Sequence, residues 1–389
     1  MTVETNLTKR APPKERKNMV RNLRARRTRM SVTVALLSIL STCASFSAGE
    51  RDVLFAKGVA PFQLLHGEWK FKYLPSTELK GDESFYLPTF DATAWNTIPV
   101  PSHWELHGFA EPHYKKVDEG TGLYRRTFRV PGAWRGQRVM LRFDGVLYGL
   151  SVWINGKPVG AWASSYNPVT FDVTDALLAG DVDNCIAVRV TTRSKGYEFD
   201  TNDCWALSGI FREVTLFCVP QTHLKDYTAQ TTLRPDGTAE VKLLAESTGG
   251  SAVSGRLVAP DGSVAANFEM SLGSEGRGTT TFAVPRPRLW TAETPSLYQL
   301  ELVLKSGNQV VQQFKERIGL RQITIADSVL KLNGVPIKLR GINHHDIWPL
   351  EGRVATEELL RRDLELMRDA NINFIRTSHY SPHPRFIEL

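Results

Sequence analysis

"VPIKLRGINHHDIWPLEGRVATEELLRRDLELMRDANINFIRTSHY", residues 335 to 380, holds the pattern that decides the fold of the C-terminal part. "VPIKLRGIN" reads as a strand. "TEELLRRDLELMRDA" reads as a helix: Thr356 can cap it, Glu357 and Glu358 favour its positive end, and Leu360, Leu364 and Met367 fall on one face. "INFIRTS" reads as a second strand. Strand, helix and strand in that order predict one βαβ unit, and therefore the start of a parallel sheet. A single such unit exposes both sheet edges and much apolar surface, so it is not expected to stand as a domain by itself.

Ligands of parallel α/β sheets and barrels bind at the C-terminal ends of the strands. The first strand ends in Asn343, His344, His345 and Asp346, the second in Arg376, Thr377, Ser378 and His379. Adjacent strands lie about 5 Å apart, which makes the two polar clusters neighbours. Imidazole and guanidinium groups there suit hydroxyls or an oxyanion. A histidine pair also suits zinc, but no third ligand stands at recognisable spacing.

The chain before this unit is β in character. "QRVMLRFDGV" alternates, with Val139, Leu141 and Phe143 on one face. Asn155-Gly156 between two apolar runs predicts a hairpin. "VTFDVTDAL" and "CIAVRVTT" add strands, and the whole predicts a β-sandwich over residues 49–220. Trp69, Trp95, Trp104, Trp134, Trp153, Trp162 and Trp205 fall in it, a density that suits sugar stacking, although each one singly reads first as core. Asp200 and Asp203, close before Trp205, read as a sugar or cation contact or as solvated loop acids. Residues 221–323 carry recurrent turns at "RPDG", "STGG", "APDG" and "KSGN", the spacing of an immunoglobulin-like sandwich, expected to be a spacer.

The excess of positive charge is confined to one end. Ten of the 48 basic and two of the 41 acidic residues lie in residues 1–30, leaving 38 against 39 in the rest. The net charge of +7 therefore makes no case for a nucleic-acid partner. "RNLRARRTRM", "SVTVALLSIL" and "STCASFSAG" follow the order of a secretory signal peptide over residues 1–48. The expectation is export to the periplasm or outside the cell, with an N-terminal membrane anchor as the alternative and no other membrane contact. Cys185, Cys204 and Cys218 have no metal-ligand spacing and read as free thiols.

"DCWALSGIFREV", "LRGINHHDIWPLEGRV" and "NINFIRTSHYSPHP", with "SHWELHGFAEPHY" and "RLWTAETPSLYQLELVL", together resemble glycoside hydrolase family 2, and among its members the β-galactosidases. The resemblance implies a jelly-roll, an immunoglobulin-like domain and then, over residues 324–389, the first βαβ part of a (β/α)8 TIM barrel. It implies a carbohydrate substrate and leaves open a homo-oligomer. It makes His345 and His379 the histidines that contact galactosyl hydroxyls, and Arg376 the arginine that orients groups around the nucleophile. Asp203 becomes the aspartate that reaches from the jelly-roll into the barrel mouth for sugar and sodium.

Lys116 stands where β-galactosidases have an asparagine, which keeps β-glucuronidase and β-mannosidase relatives open. The implied mechanism is retaining hydrolysis by two glutamates, one acid/base and one nucleophile. Both come from later barrel strands, so neither is expected here, and the same holds for the magnesium ligands beside the acid/base residue. Mg2+ and Na+ belong to the complete enzyme by this reading, with none demonstrable in the 389 residues. Glu351, Glu357, Glu358 and Glu388 are explained by helix and loop positions. The expectation is an incomplete chain without activity, and the alternative a non-catalytic carbohydrate-binding protein.

Overall fold

The computed structural model describes residues 60–389 apart from 80, 115, 179, 202 and 204. The basic tail with its signal-peptide pattern, and Cys204, lie outside the described residues. Cys185 and Cys218 are free thiols.

Two antiparallel sheets form the first sandwich. One orders the strands 96–100, 67–74, 121–128, 184–191, 149–154 and 157–162; the other orders 62–64, 214–219, 138–143 and 169–172. Alternation decides what faces inward: Val139, Leu141 and Phe143 are buried while Arg138, Met140 and Arg142 are not. They meet Trp69, Trp104, Val152, Val188 and Leu216 in one core. Asn155 and Gly156 both take positive φ, +51° and +82°, as a two-residue hairpin turn requires. The Asn155 carboxamide also ties the turn down, accepting from Cys185 N at 2.8 Å and donating to Asn184 Oδ1 at 2.8 Å. Trp69, Trp104 and Trp134 are core, whereas Trp162 and Trp205 reach the surface.

Residues 224–318 make a second sandwich of a three-stranded and a four-stranded antiparallel sheet around Val241, Leu243, Leu257, Leu300 and Leu302. A small antiparallel sheet over residues 323–336 follows. Then come β1 (Gly341–His344), α1 (Glu357–Asp369), β2 (Phe374–Thr377) and the short α2 (Pro384–Glu388). β1 and β2 pair in parallel, with Asn343 opposite Arg376 and His344 opposite Thr377. Thr356 Oγ1 accepts from Leu359 N at 3.2 Å, so the expected cap is present. Leu360 and Met367 are buried and Leu364 partly so.

"VPIKLRGIN" is not one strand. Val335 and Pro336 close the small sheet, and the parallel strand begins only at Gly341. Pro336 has no N–H to extend a ladder. Asn373 then bridges the gap, donating to Lys338 O at 3.1 Å and accepting from Arg340 N at 2.7 Å.

The βαβ unit is seated on the first sandwich. Arg353, 1% exposed, lies beside the rings of Tyr166 and Tyr380, which stack 4.2 Å apart, with its guanidinium 5.4 and 4.6 Å from their centroids. Its backbone N–H donates to His103 Nε2 at 3.0 Å, so the proton of His103 is on Nδ1, which donates to Ser208 O at 3.1 Å. Burial pushes His103 down to about 3, which keeps it neutral for both bonds. Gly352, at φ +61°, packs so closely here that a Cβ would stand 2.7 Å from the His103 ring and from Leu207. Arg212 reaches across to Asp346 Oδ2 at 3.3 Å and Ser381 O at 2.9 Å, and His383 Nε2 meets Glu213 Oε2 at 2.9 Å. Among the described residues, no helix is long and apolar enough to cross a membrane.

Candidate sugar-binding site

Parallel pairing of β1 and β2 places their C-terminal ends side by side, and four of the expected residues meet there. Arg376 donates from Nη1 to Asn343 Oδ1 at 3.3 Å and from Nη2 to His379 Nδ1 at 3.1 Å. The His379 and His345 rings stand edge to face, 5.4 Å between centroids. Asp203 arrives from the first sandwich, its Oδ2 3.8 Å from His379 Nε2. Asp203, His345 and His379 each offer one ligand atom, all within 4.8 Å of one another. This is the third group that linear spacing did not supply.

The loop that delivers Asp203 is built for it. Residues 205–206 pair with 113–114 in a short antiparallel ladder, Trp205 opposite Tyr114. Asp203 itself takes φ +45°, the left-handed conformation that Asp and Asn tolerate better than most residues. Tyr114 OH donates to Asp203 Oδ1 at 3.1 Å and fixes the carboxylate. Tyr114 and Trp205 remain 55% and 48% exposed, which leaves aromatic faces beside a carboxylate and two imidazoles. Lys116 follows on the same exposed loop.

His345 is held from behind by Tyr380, with Nδ1 3.2 Å from the hydroxyl. Burial first, then the His379 and Arg353 charges, lower its pKa below the ordinary imidazole value. It is therefore neutral at neutral pH, able to donate from one nitrogen and accept at the other.

The rest of the two clusters serves other ends. His344 turns inward, stacks on Phe386 and sits 3.0 Å from Asp363 of α1. Asp346 is spent on Arg212 and on the His383 N–H, which it accepts at 2.7 Å. Ser378 is fully buried. Asp200 accepts from the Ser165 N–H and hydroxyl at 2.9 and 2.7 Å and braces its own loop. Glu357 pairs with Arg385 and Arg361, which hold it down to about 2, and Glu388 pairs with Arg385 at 2.7 Å. Tyr114, Tyr380 and Arg353 were not singled out by sequence reasoning. Tyr380 alone carried a signal, as the residue after His379.

Three family models match in chain order: "Glycosyl hydrolases family 2, sugar binding domain" over residues 62–220, "Glycosyl hydrolases family 2" over 222–321, and "Glycosyl hydrolases family 2, TIM barrel domain" over 323–389. The β-galactosidase of Vibrio vulnificus (strain YJ016) is 34% identical, over 92% of this chain and 37% of its own length. That of Pectobacterium atrosepticum is 34% identical, over 84% of this chain and 34% of its own. The chain thus spans about a third of the length of these curated relatives. A β-glucuronidase from Ruminococcus gnavus, solved with D-glucaro-d-lactam, superposes with a TM-score of 0.73 at 26% identity, covering 85% of this chain and 57% of that one.

Proposed function

The chain belongs to glycosyl hydrolase family 2, and from that premise we propose that it forms the sugar-gripping side of an enzyme that hydrolyses terminal β-galactosides with retention. The observation that carries this reading is the convergence of Asp203, His345, Arg376 and His379 at one strand mouth beside two exposed aromatic rings. A pyranose presents hydroxyls at its edge and C–H groups on its faces. N–H donors and a carboxylate serve the first, indole and phenol faces the second.

Retaining hydrolysis needs two carboxyl groups about 5 Å apart. Among the described residues Asp203 is the one carboxylate in the histidine cluster, and a single carboxylate cannot be both acid/base and nucleophile. The 389 residues alone are therefore expected to release no nitrophenol from nitrophenyl β-galactoside above background. Turnover that tracks the pure polypeptide through gel filtration would contradict this. Asp203 is the residue of the cluster that would hold sodium, since a hard cation takes oxygen rather than imidazole nitrogen.

A β-glucuronidase reading has its own support. Lys116, a cation two residues beyond Tyr114, suits a sugar carboxylate, and the superposed Ruminococcus gnavus enzyme is a β-glucuronidase. The two readings separate when the full reading frame containing these residues is expressed and assayed. Nitrophenyl β-galactoside should turn over at least about tenfold faster than the β-glucuronide, a difference near 1.4 kcal/mol in the barrier. The reverse order would transfer the assignment.

A further inference from the structure

Two imidazoles and a carboxylate within 4.8 Å are the donor set of many transition-metal sites, yet one neighbour argues against that use. The Arg376 guanidinium lies 3.1 Å from His379 Nδ1 and carries N–H donors only, so Nδ1 must be the acceptor. In the neutral ring the single N–H is then on Nε2, the nitrogen that faces Asp203. A metal ion needs a lone pair at that position and meets a hydrogen instead.

We propose that Arg376 is a positioning residue that holds His379 in its Nε2–H tautomer, dedicating the Asp203–His345–His379 cluster to hydroxyl groups and keeping divalent transition metals out. The step from tautomer to sugar recognition rests on the proposed function above. The tautomer itself rests only on the guanidinium contact. His103 shows the complementary arrangement in the same molecule, where a backbone donor at Nε2 puts the proton on Nδ1.

The test is 15N NMR of the histidine rings at pH 8 in the 389-residue chain, with zinc ion alone as the probe for calorimetry. The unsubstituted chain should show His379 with its proton on Nε2 and bind zinc weakly. Arg376→Met should mix the tautomers and tighten zinc at least about tenfold, the scale on which groups bonded to a ligand's second nitrogen act. Arg376→Lys keeps a donor and should keep the original tautomer. Asp203→Asn added to Arg376→Met should remove the gain, placing the ion in the cluster.

A proton on Nδ1 in the unsubstituted chain would overturn the proposal without any variant having to fold. So would unchanged tautomer and zinc affinity in Arg376→Met, or a zinc gain that survives Asp203→Asn. Titration with methyl β-galactoside separates the two readings. An Nε2–H tautomer without sugar binding would remove the sugar-binding reading and leave the role of Arg376 standing.

Discussion

Replacing Arg212 by Met should destabilise the chain by about 3–5 kcal/mol, the usual consequence of removing one member of a buried ion pair. Arg212 and Asp346 are 2% and 3% exposed, and the guanidinium also donates to Tyr166 O and Ser381 O at 3.2 and 2.9 Å. Met fills similar space but leaves the buried Asp346 carboxylate without its cation and takes the guanidinium N–H groups away from the Tyr166 and Ser381 carbonyls. Both carbonyls and Asp346 lie where the βαβ unit meets the first sandwich, so the loss concentrates there. Urea unfolding should show the drop in midpoint. Hydrogen exchange should accelerate in β1 and β2 more than in the strands around Trp69. A change within about 0.5 kcal/mol, the range of ordinary surface substitutions, would mean the pair does not hold the unit in place.

Glu105→Gln should act in the other direction, and only above about pH 5. Burial raises the Glu105 carboxyl to about 7, and its Oε2 accepts from Ser208 N at 2.9 Å. Between the unfolded value near 4.5 and the folded value near 7, the folded chain keeps a proton that the unfolded chain has released. Stability therefore falls as pH rises across that window, by about 3 kcal/mol in total. Gln keeps an oxygen for Ser208 and cannot ionise. The variant should match the parent at pH 4 and exceed it by about 2–3 kcal/mol at pH 8. Asp144, raised to about 6 chiefly by burial, keeps its own contribution in both proteins and cancels from the difference. Glu213, held near 2 mainly by His383 against the opposing cost of burial, contributes stability above pH 4.5 that is lost on acidification, again in both. A pH-independent difference between parent and variant would contradict the burial of Glu105 as a charged-form penalty.

Much of the architecture was legible because local chemistry and global fold agree. Alternation at Val139, Leu141 and Phe143 and the Asn155-Gly156 turn are short-range signals, and they fold as they read. The βαβ order forces the two strand ends together, which made the meeting of His345 with Arg376 and His379 deducible. Side-chain direction past the end of a strand was not. His344 and His345 are adjacent, and only packing against Phe386 and Asp363 sends the first inward and leaves the second at the mouth. Strand order cannot show what a loop from another sandwich brings, and Asp203 came to the site through the family resemblance alone. The Arg212–Asp346 pair joins residues 134 positions apart and left no trace in composition or periodicity.

The central claim is that this mouth grips a pyranose, and histidine-ring NMR tests it most directly. Methyl β-galactoside titrated into the 15N-histidine-labelled chain should shift the His345 and His379 rings saturably and leave His103 and His223 in place. Asp203→Ala should weaken the response at least about tenfold, the loss expected for one hydrogen bond to a charged group. Rings of His345 and His379 that stay unmoved while the sugar binds elsewhere, or does not bind at all, would contradict the account.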